Sequence, residues 1–575
     1  MILIFILLLL PISCSLLRNV KTSYGDLRGI SYYSFPTNQY VHIFKGIPYS
    51  QPLIGSRRFS LPTPPNSWTG VRDATFPRAA CLQNASSTTP PPEYMDEDCL
   101  FLHIYTSDRC LESSSKCPVI FYLYGGDFIK GSPVQYPDSF IVDHYASQVF
   151  GSLLLSPSMP ANLFAYDITA ALEYLQTEIP NFGGNPLDVV MMGHSSGAAF
   201  VANAVMSKRF DPDKRLFQRG IVLSGINAFM NVSDIMANSW EFVRRIGCGG
   251  IDNATSADEA VECLRQKNTN ELLVVQRVMD DERKTVGEIT FAEPFVSPGA
   301  TLKQFFTDIP PRSLLAGTLQ YELETLDDLD CLVFSNISRY DHREELLKKY
   351  ESDVQNGVIE DECVNQNLYS EIVLLASELA SQEQDIYLYD NSQPPGYRHA
   401  GDLYFIIGGH PKNLTDDERI LLSFYSQLFV NFTKYGQPAP EWEKFDPTRR
   451  NFFNIAVISE NGTWPHMENG YHNKDADYWL INMTQFDASL NTGFSGRPPQ
   501  IIGTSKLPPK YSSKLPPKAT STEANPVPVE SDWSIWRQWW FYALLALALI
   551  LLSLVIYFTA KSCTRRNPET TPLIL

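Results

Sequence analysis

Gly193-His194-Ser195-Ser196-Gly197 places a serine among small residues, directly after the apolar run Val189-Val190-Met191-Met192 and before a helix-compatible stretch at 198–206. The pattern is Gly-x-Ser-x-Gly, which suits a nucleophilic serine on a tight strand-to-helix turn, where small flanking residues let two backbones approach. A helix starting just after the serine would aim its N-terminal amides at developing negative charge. Five residues are a short pattern, and an ordinary glycine-rich turn would read the same; the strand before it and the helix after it carry the assignment. Acyl transfer also needs donors for an oxyanion. Gly125-Gly126-Asp127 closes a second apolar run, 119–124, so the backbone amides of Gly126 and Asp127, with that of Ser196, are the candidate donors. By itself the Gly-Gly turn is equally compatible with a simple reversal. This chemistry calls for no metal and no cofactor.

A serine presented in this way needs a rigid sheet behind it. Runs at 119–124, 189–192, 221–223, 314–316 and 386–389 have the apolar pattern of buried strands, while Ile168, Leu172, Leu175 and Ile179 share one helical face. Strands alternating with helices imply an α/β fold: a mostly parallel sheet covered on both faces.

Both chain ends read differently. Residues 2–10 are all apolar and are followed by Pro11-Ile12-Ser13-Cys14-Ser15, the pattern of a signal peptide over 1–15. Residues 493–532 are rich in Pro, Ser, Lys and Thr, with Ser-Lys-Leu-Pro-Pro-Lys occurring twice, and read as an extended stalk. Residues 541–560 carry no charge and at ~1.5 Å per residue would span the ~30 Å core of a bilayer. Tryptophans 533, 536, 539 and 540 precede that run and Lys561, Arg565 and Arg566 follow it, which places the tail 561–575 in the cytoplasm and the domain 16–492 in the lumen or outside. Cys563 is a palmitoylation candidate. Sequons at Asn84, Asn231, Asn253, Asn336, Asn413, Asn431, Asn461 and Asn482, and eight cysteines between the two ends, suit the same compartment. A net charge of −18 argues against nucleic acid as a partner.

Several further motifs resemble the type-B carboxylesterase family, which includes cholinesterases and non-catalytic neuroligins. They are Phe44-Lys45-Gly46-Ile47-Pro48-Tyr49 with Arg58-Phe59 and Pro62, then Asp96-Glu97-Asp98-Cys99-Leu100-Phe101-Leu102, then Asn181-Phe182-Gly183-Gly184-Asn185-Pro186 before the serine. The resemblance implies an α/β-hydrolase fold. It also implies an acid at Glu322, in Gly317-Thr318-Leu319-Gln320-Tyr321-Glu322, and a base at His399, in the stretch from His399 to Gly408. Ser195, Glu322 and His399 then follow the α/β-hydrolase order. Without the resemblance Glu322 would be one of 64 acids and His399 one of nine histidines. It further implies disulfides Cys81–Cys99 and Cys248–Cys263, with Cys110–Cys117 as a local addition and Cys331–Cys363 for the remainder, and an Arg58–Glu97 ion pair.

Three departures bear on function. Asp127 stands where the family has the last glycine of a Gly-Gly-Gly turn, adding a carboxylate near the oxyanion site. About a dozen residues after Gln148 are absent relative to the family, which implies the loss of a central strand and of an arginine that would pair with Asp167; poor folding is the expected consequence. Thr89 occupies the place of the cholinesterase choline-binding tryptophan, which removes the platform for a quaternary ammonium. The reading that follows is a membrane-anchored serine esterase acting on a small carboxylic ester, with a homodimer or an extracellular protein as a compatible partner. The alternative is a neuroligin- or gliotactin-like adhesion protein with impaired catalysis.

Overall fold

The computed structural model describes residues 16–84, 92–145, 149–153, 162–225, 232–250, 255–282, 284, 292–296, 305, 309–322 and 340–491. All of them belong to one compact unit, 15–493. The expected signal peptide, stalk, membrane helix and tail lie outside the described residues. Among the described residues no helix is long and apolar enough to cross a membrane.

In chain order the strands are β1 (Leu16–Lys21), β2 (Asp26–Ser34), β3 (Gln39–Pro48), β4 (Val71–Asp73), β5 (Ala80–Cys81), β6 (Met95–Asp96), β7 (Phe101–Ser107), β8 (Cys117–Leu123), β9 (Val149–Leu153), β10 (Gly184–His194), β11 (Arg219–Leu223), β12 (Ser313–Leu319), β13 (Ile386–Asn391), β14 (Phe452–Ile455) and β15 (His466–Glu468). Thirteen of them form one sheet, ordered β1-β2-β3-β7-β9-β8-β10-β11-β12-β13-β14-β15, with β4 beside β2; β5 and β6 pair separately. From β9 to β14 every neighbour is parallel. The flanks are antiparallel, from β1 through β7 on one side and at β15 on the other, apart from the short β4, which runs parallel to β2. The expected parallel sheet is therefore its central half. The antiparallel wing is built from strands whose polar positions face water on one side, such as Arg28 and Tyr32 of β2.

The apolar runs at the centre are continuous because both faces are covered. Val119, Phe121 and Leu123 of β8 and Val189 and Met191 of β10 join one apolar layer with Ile168, Leu172 and Leu175 of the helix Leu163–Glu178. Ile120 and Tyr122, with Val190 and Met192, face the opposite layer, packed with Leu421, Phe429 and Phe432 of the helix Asp416–Tyr435. All of these strand side chains are fully buried, each contributing about 1.5–3 kcal/mol. Cys81–Cys99, Cys110–Cys117 and Cys248–Cys263 are bonded as expected. Cys363 is disulfide-bonded as well; Cys331 lies outside the described residues. Arg58 Nε bonds Glu97 Oε1 at 2.7 Å, and its guanidinium donates to the carbonyls of Leu264 and Lys267 at 3.2 and 2.9 Å. That ties the N-terminal segment to the end of the helix Ala257–Gln266.

The expectation of a missing central strand is corrected. β9 lies between β7 and β8, parallel to β8 and antiparallel to β7, so the sheet is continuous. The five residues Val149 to Leu153 suffice because strands of about five to six residues are ordinary, and the helix Asp138–His144 returns the chain with a short connection. The other expectation is that Asp167 has no cationic partner. Asp167 is 2% exposed, and among the described residues no Lys or Arg pairs with it. Burial pushes its carboxyl up to about 8, so it is held mostly neutral at pH 7 rather than as a naked charge.

Between the ordinary carboxyl value of about 3.9 and about 8 the folded state holds one proton more than the unfolded state. Stability therefore falls as pH rises across that window, by at most about 1.4 kcal/mol per unit from this group. Asp167→Asn should remove this component. Denaturant unfolding at pH 5 and pH 7.5 should show the variant gaining on the parent at the higher pH. An identical pH slope in both chains would contradict the assignment.

Candidate active site

Because β8, β10, β11, β12 and β13 run parallel, the segments leaving their C-terminal ends share one edge of the sheet, the edge where open α/β sheets bind ligands. Gly125 follows β8, Ser195 follows β10, Glu322 lies three residues beyond β12, and His399 lies eight residues beyond β13.

Ser195 has φ 55° and ψ −124°, a region that side-chain-bearing residues rarely enter, and the helix Ser196–Met206 starts immediately after it. Its N–H donates to the Leu223 carbonyl at 3.0 Å, anchoring the turn to the end of β11. A side chain at Gly193 would place Cβ 2.2 Å from the Gly197 oxygen, and one at Gly197 would place Cβ 2.3 Å from the Leu123 oxygen. Both spacings lie far inside contact distance, which is why the pattern needs glycine at its two ends.

His399 Nε2 is 2.8 Å from Ser195 Oγ, and His399 Nδ1 is 2.8 Å from Glu322 Oε2. The Glu322 carboxylate is fully buried; its other oxygen accepts the Leu319 N–H at 2.8 Å, and its carbonyl accepts the His399 N–H at 2.6 Å. The acid is thus fixed at both ends before it meets the imidazole. Tyr369 donates its hydroxyl to the Gln320 carbonyl at 3.1 Å and supports the same turn. The segment carrying His399 is clamped by Glu418, which accepts from the Tyr397 hydroxyl and from Lys412 Nζ at 2.8 Å. Ala400, beside the histidine, has φ 68°.

Burial alone would lower the His399 pKa. The Glu322 carboxylate hydrogen-bonded to it, with Asp127 and Asp402 nearby, outweighs burial and raises the pKa above the ordinary imidazole value. Asp402 is itself buried, and burial pushes it up to about 6 against the opposing hydrogen bond from Tyr425 at 2.9 Å. His194 is buried 5.1 Å from the His399 ring, centroid to centroid; burial, with His399 and His410 close by, holds it well below the ordinary value and therefore neutral.

The turn after β8 abuts the serine: a Cβ on Gly125 would lie 2.7 Å from Ser195 Cβ. Among the described residues the amides of Gly126, Asp127 and Ser196 have no protein acceptor, as an oxyanion site requires. Asp127 has φ 55°, and aspartate tolerates that left-handed region better than most residues. Its side chain is 60% exposed and pairs with Lys130 at 2.9 Å. Gln83 holds the far end of the turn, accepting the Gly131 N–H at 2.7 Å and donating to the Gly131 carbonyl at 2.9 Å. Neither Gln83 nor Asp402 carries a sequence signal beyond its nearness to Cys81 or to His399. Thr89 lies outside the described residues, as do the sequons at Asn231, Asn253 and Asn336. Asn413 and Asn461 fall outside helices; Asn482 ends the helical turn Tyr478–Asn482, and Asn431 sits inside the helix Asp416–Tyr435 with its sequon partner Thr433 buried. Asn84 donates its side-chain amide to the Leu273 carbonyl at 3.3 Å.

A second serine–histidine–carboxylate array, Ser31–His42–Asp108, shows what makes the first one different. Ser31 Oγ bonds His42 Nδ1 at 2.7 Å, and His42 Nε2 bonds Asp108 Oδ1 at 2.8 Å. Ser31 and His42 are a cross-strand pair on β2 and β3, both buried. Ser31 sits in plain extended strand with no helix starting behind it, and burial lowers the His42 pKa despite Asp108. The same order of hydroxyl, imidazole and carboxylate here satisfies buried polar atoms of two paired strands.

A profile of the carboxylesterase family matches residues 17–369, more than half of the 575-residue chain. The chain is 25% identical over 511 residues to a pyrethroid hydrolase of Rattus norvegicus, covering 76% of this chain and 85% of that protein. It is 27% identical over 502 residues to an acetylcholinesterase of Bungarus fasciatus, covering 74% and 79%. It is 32% identical over 290 residues to a cocaine esterase of Oryctolagus cuniculus, covering 46% and 52%. Each of these is a relative by sequence, and with the geometry above they lead to one conclusion: the chain belongs to the carboxylesterase family.

Proposed function

We propose that the chain is a serine carboxylesterase in which Ser195 attacks the ester carbonyl, His399 takes its proton, and Glu322 orients the imidazole and balances its charge. The observation that carries the reading is the pair of 2.8 Å contacts linking Ser195, His399 and Glu322 across three separate loops. The amides of Gly126, Asp127 and Ser196 receive the oxyanion of the tetrahedral intermediate. His399 then delivers its proton to the leaving alkoxide, and an acyl-Ser195 ester remains. Water attacks that ester with His399 again as base, and the acid departs. Membership of the family supports carboxylic ester hydrolysis in general. A small uncharged ester is the proposed substrate class. The adhesion alternative predicts a site in which some member has lost its place; all three side chains being in hydrogen-bond reach favours the enzyme.

We also infer a lumenal or extracellular domain on a single-pass membrane anchor. Three disulfides among the described residues support an oxidising compartment.

Hydrolysis of a short-chain p-nitrophenyl ester tests the reading. Since His399 must be neutral to accept the serine proton, kcat/KM should rise with pH through a value above the ordinary imidazole pKa. Glu322→Gln should lower kcat by about 10³–10⁴-fold with the chain still folded. A rate unaffected by Glu322→Gln, or flat from pH 5 to 9, would contradict the proposed roles.

A further inference from the structure

The carboxylate of Asp127 is one residue from a developing oxyanion, where a negative charge should oppose the reaction. Its surroundings explain how that charge is managed. Asp127 and Phe128 are consecutive left-handed residues, φ 55° and 59°, so the chain doubles back at once. The Gly126 carbonyl accepts the N–H groups of both Ile129 and Lys130, each at 3.0 Å, closing a tight loop on itself. Gly126 and Lys130 are packed so closely that a Cβ on Gly126 would lie 2.0 Å from the Lys130 oxygen. Gln83 fixes the next residue, Gly131, through both its N–H and its carbonyl. Lys130 is therefore immobilised on both sides, and its side chain, 19% exposed, ends with Nζ 2.9 Å from Asp127 Oδ2.

We propose that Lys130 is a positioning residue: its ammonium holds the Asp127 carboxylate and offsets its charge, so that the turn presents the Asp127 amide to the substrate oxygen. The proposal rests on the esterase reading. It accounts for an acidic residue in a turn whose work is to receive an anion. Among the described residues the charged groups facing the pair are these. Asp280, on the helix Thr269–Asp281, is raised to about 6, chiefly by burial, with Arg277 and Lys130 opposing and Asp281 and Asp127 reinforcing. His399, which feels Asp127 from the other side, is also faced by Glu322, Asp402 and His194. With Lys130 in place, part of Asp127's influence on His399 is screened.

A double-mutant cycle in the full chain separates this role from a merely structural one. Lys130→Met keeps the stem and removes the charge. It should lower kcat for a p-nitrophenyl ester by about tenfold with little change in KM, since the interaction matters where charge develops. It should also move the ascending limb of the pH–rate profile to higher pH. Lys130→Arg should restore both. Made together with Asp127→Asn, which keeps a residue type suited to the left-handed backbone, Lys130→Met should change kcat by less than about twofold. An equal loss in both backgrounds, or a pH profile that does not move, would overturn the proposal. If the parent hydrolyses no ester, the esterase reading falls, and histidine-selective NMR decides the proposal independently. Lys130→Met raises the His399 titration midpoint if the ion pair screens Asp127, and an unmoved midpoint overturns it.

Discussion

The close approach of the main chain to itself where β10 turns into the helix Ser196–Met206 is the constraint on which the rest of the site depends. Gly193 and Gly197 stand where any side chain would collide with backbone atoms 2.2–2.3 Å away. Only with both positions bare can Ser195 hold a positive φ, donate its N–H to the Leu223 carbonyl, and stand clear of the strand with helix amides behind it. Such strain costs about 1–3 kcal/mol and persists only in a framework stiff enough to impose it. The framework here is the parallel centre of a mixed sheet, buried on both faces, whose alternate side chains lock into two separate apolar layers.

Much of that framework is legible in the amino-acid pattern. The runs that become β8, β10, β11, β12 and β13 are near-continuous apolar segments, which only a doubly covered strand tolerates, and the Gly-x-Ser-x-Gly turn sits where a strand must hand over to a helix. Other parts carry weak local signals. β9 is five residues after a short connection, and its place is decided by the edges of β7 and β8, distant in sequence, so the family resemblance implies a gap where the sheet is continuous. Glu322 and His399 are 77 residues apart and meet only because β12 and β13 are adjacent and parallel. No local rule separates that glutamate from its 63 fellow acids, and family resemblance supplied the pair. Gln83 is invisible for a related reason: its role is to bond the backbone of a loop 48 residues away.

Burial and partner choice then decide what each ionisable group can do. His42 and His399 both bridge a serine and a carboxylate, yet the first is lowered by its dry strand interior and the second is raised by Glu322 with Asp127 and Asp402. Asp167 shows the same rule with no Lys or Arg partner among the described residues: it is held mostly as the neutral acid, and its burial becomes a pH-dependent cost rather than a fixed one. The described part of this chain thus combines a sheet framework with local features, at Asp127, at Asp167 and at β9, that its own packing accommodates.

The central claim is that backbone geometry, and not mere proximity to a histidine, makes Ser195 the reactive serine. Treating the folded chain with a fluorophosphonate probe and mapping the adduct by peptide mass spectrometry tests it directly. The account predicts modification at Ser195 with Ser31 untouched, although Ser31 also bonds a histidine at 2.7 Å, and no labelling after Ser195→Ala. A folded chain that takes up no probe, or takes it up at Ser31, would contradict it.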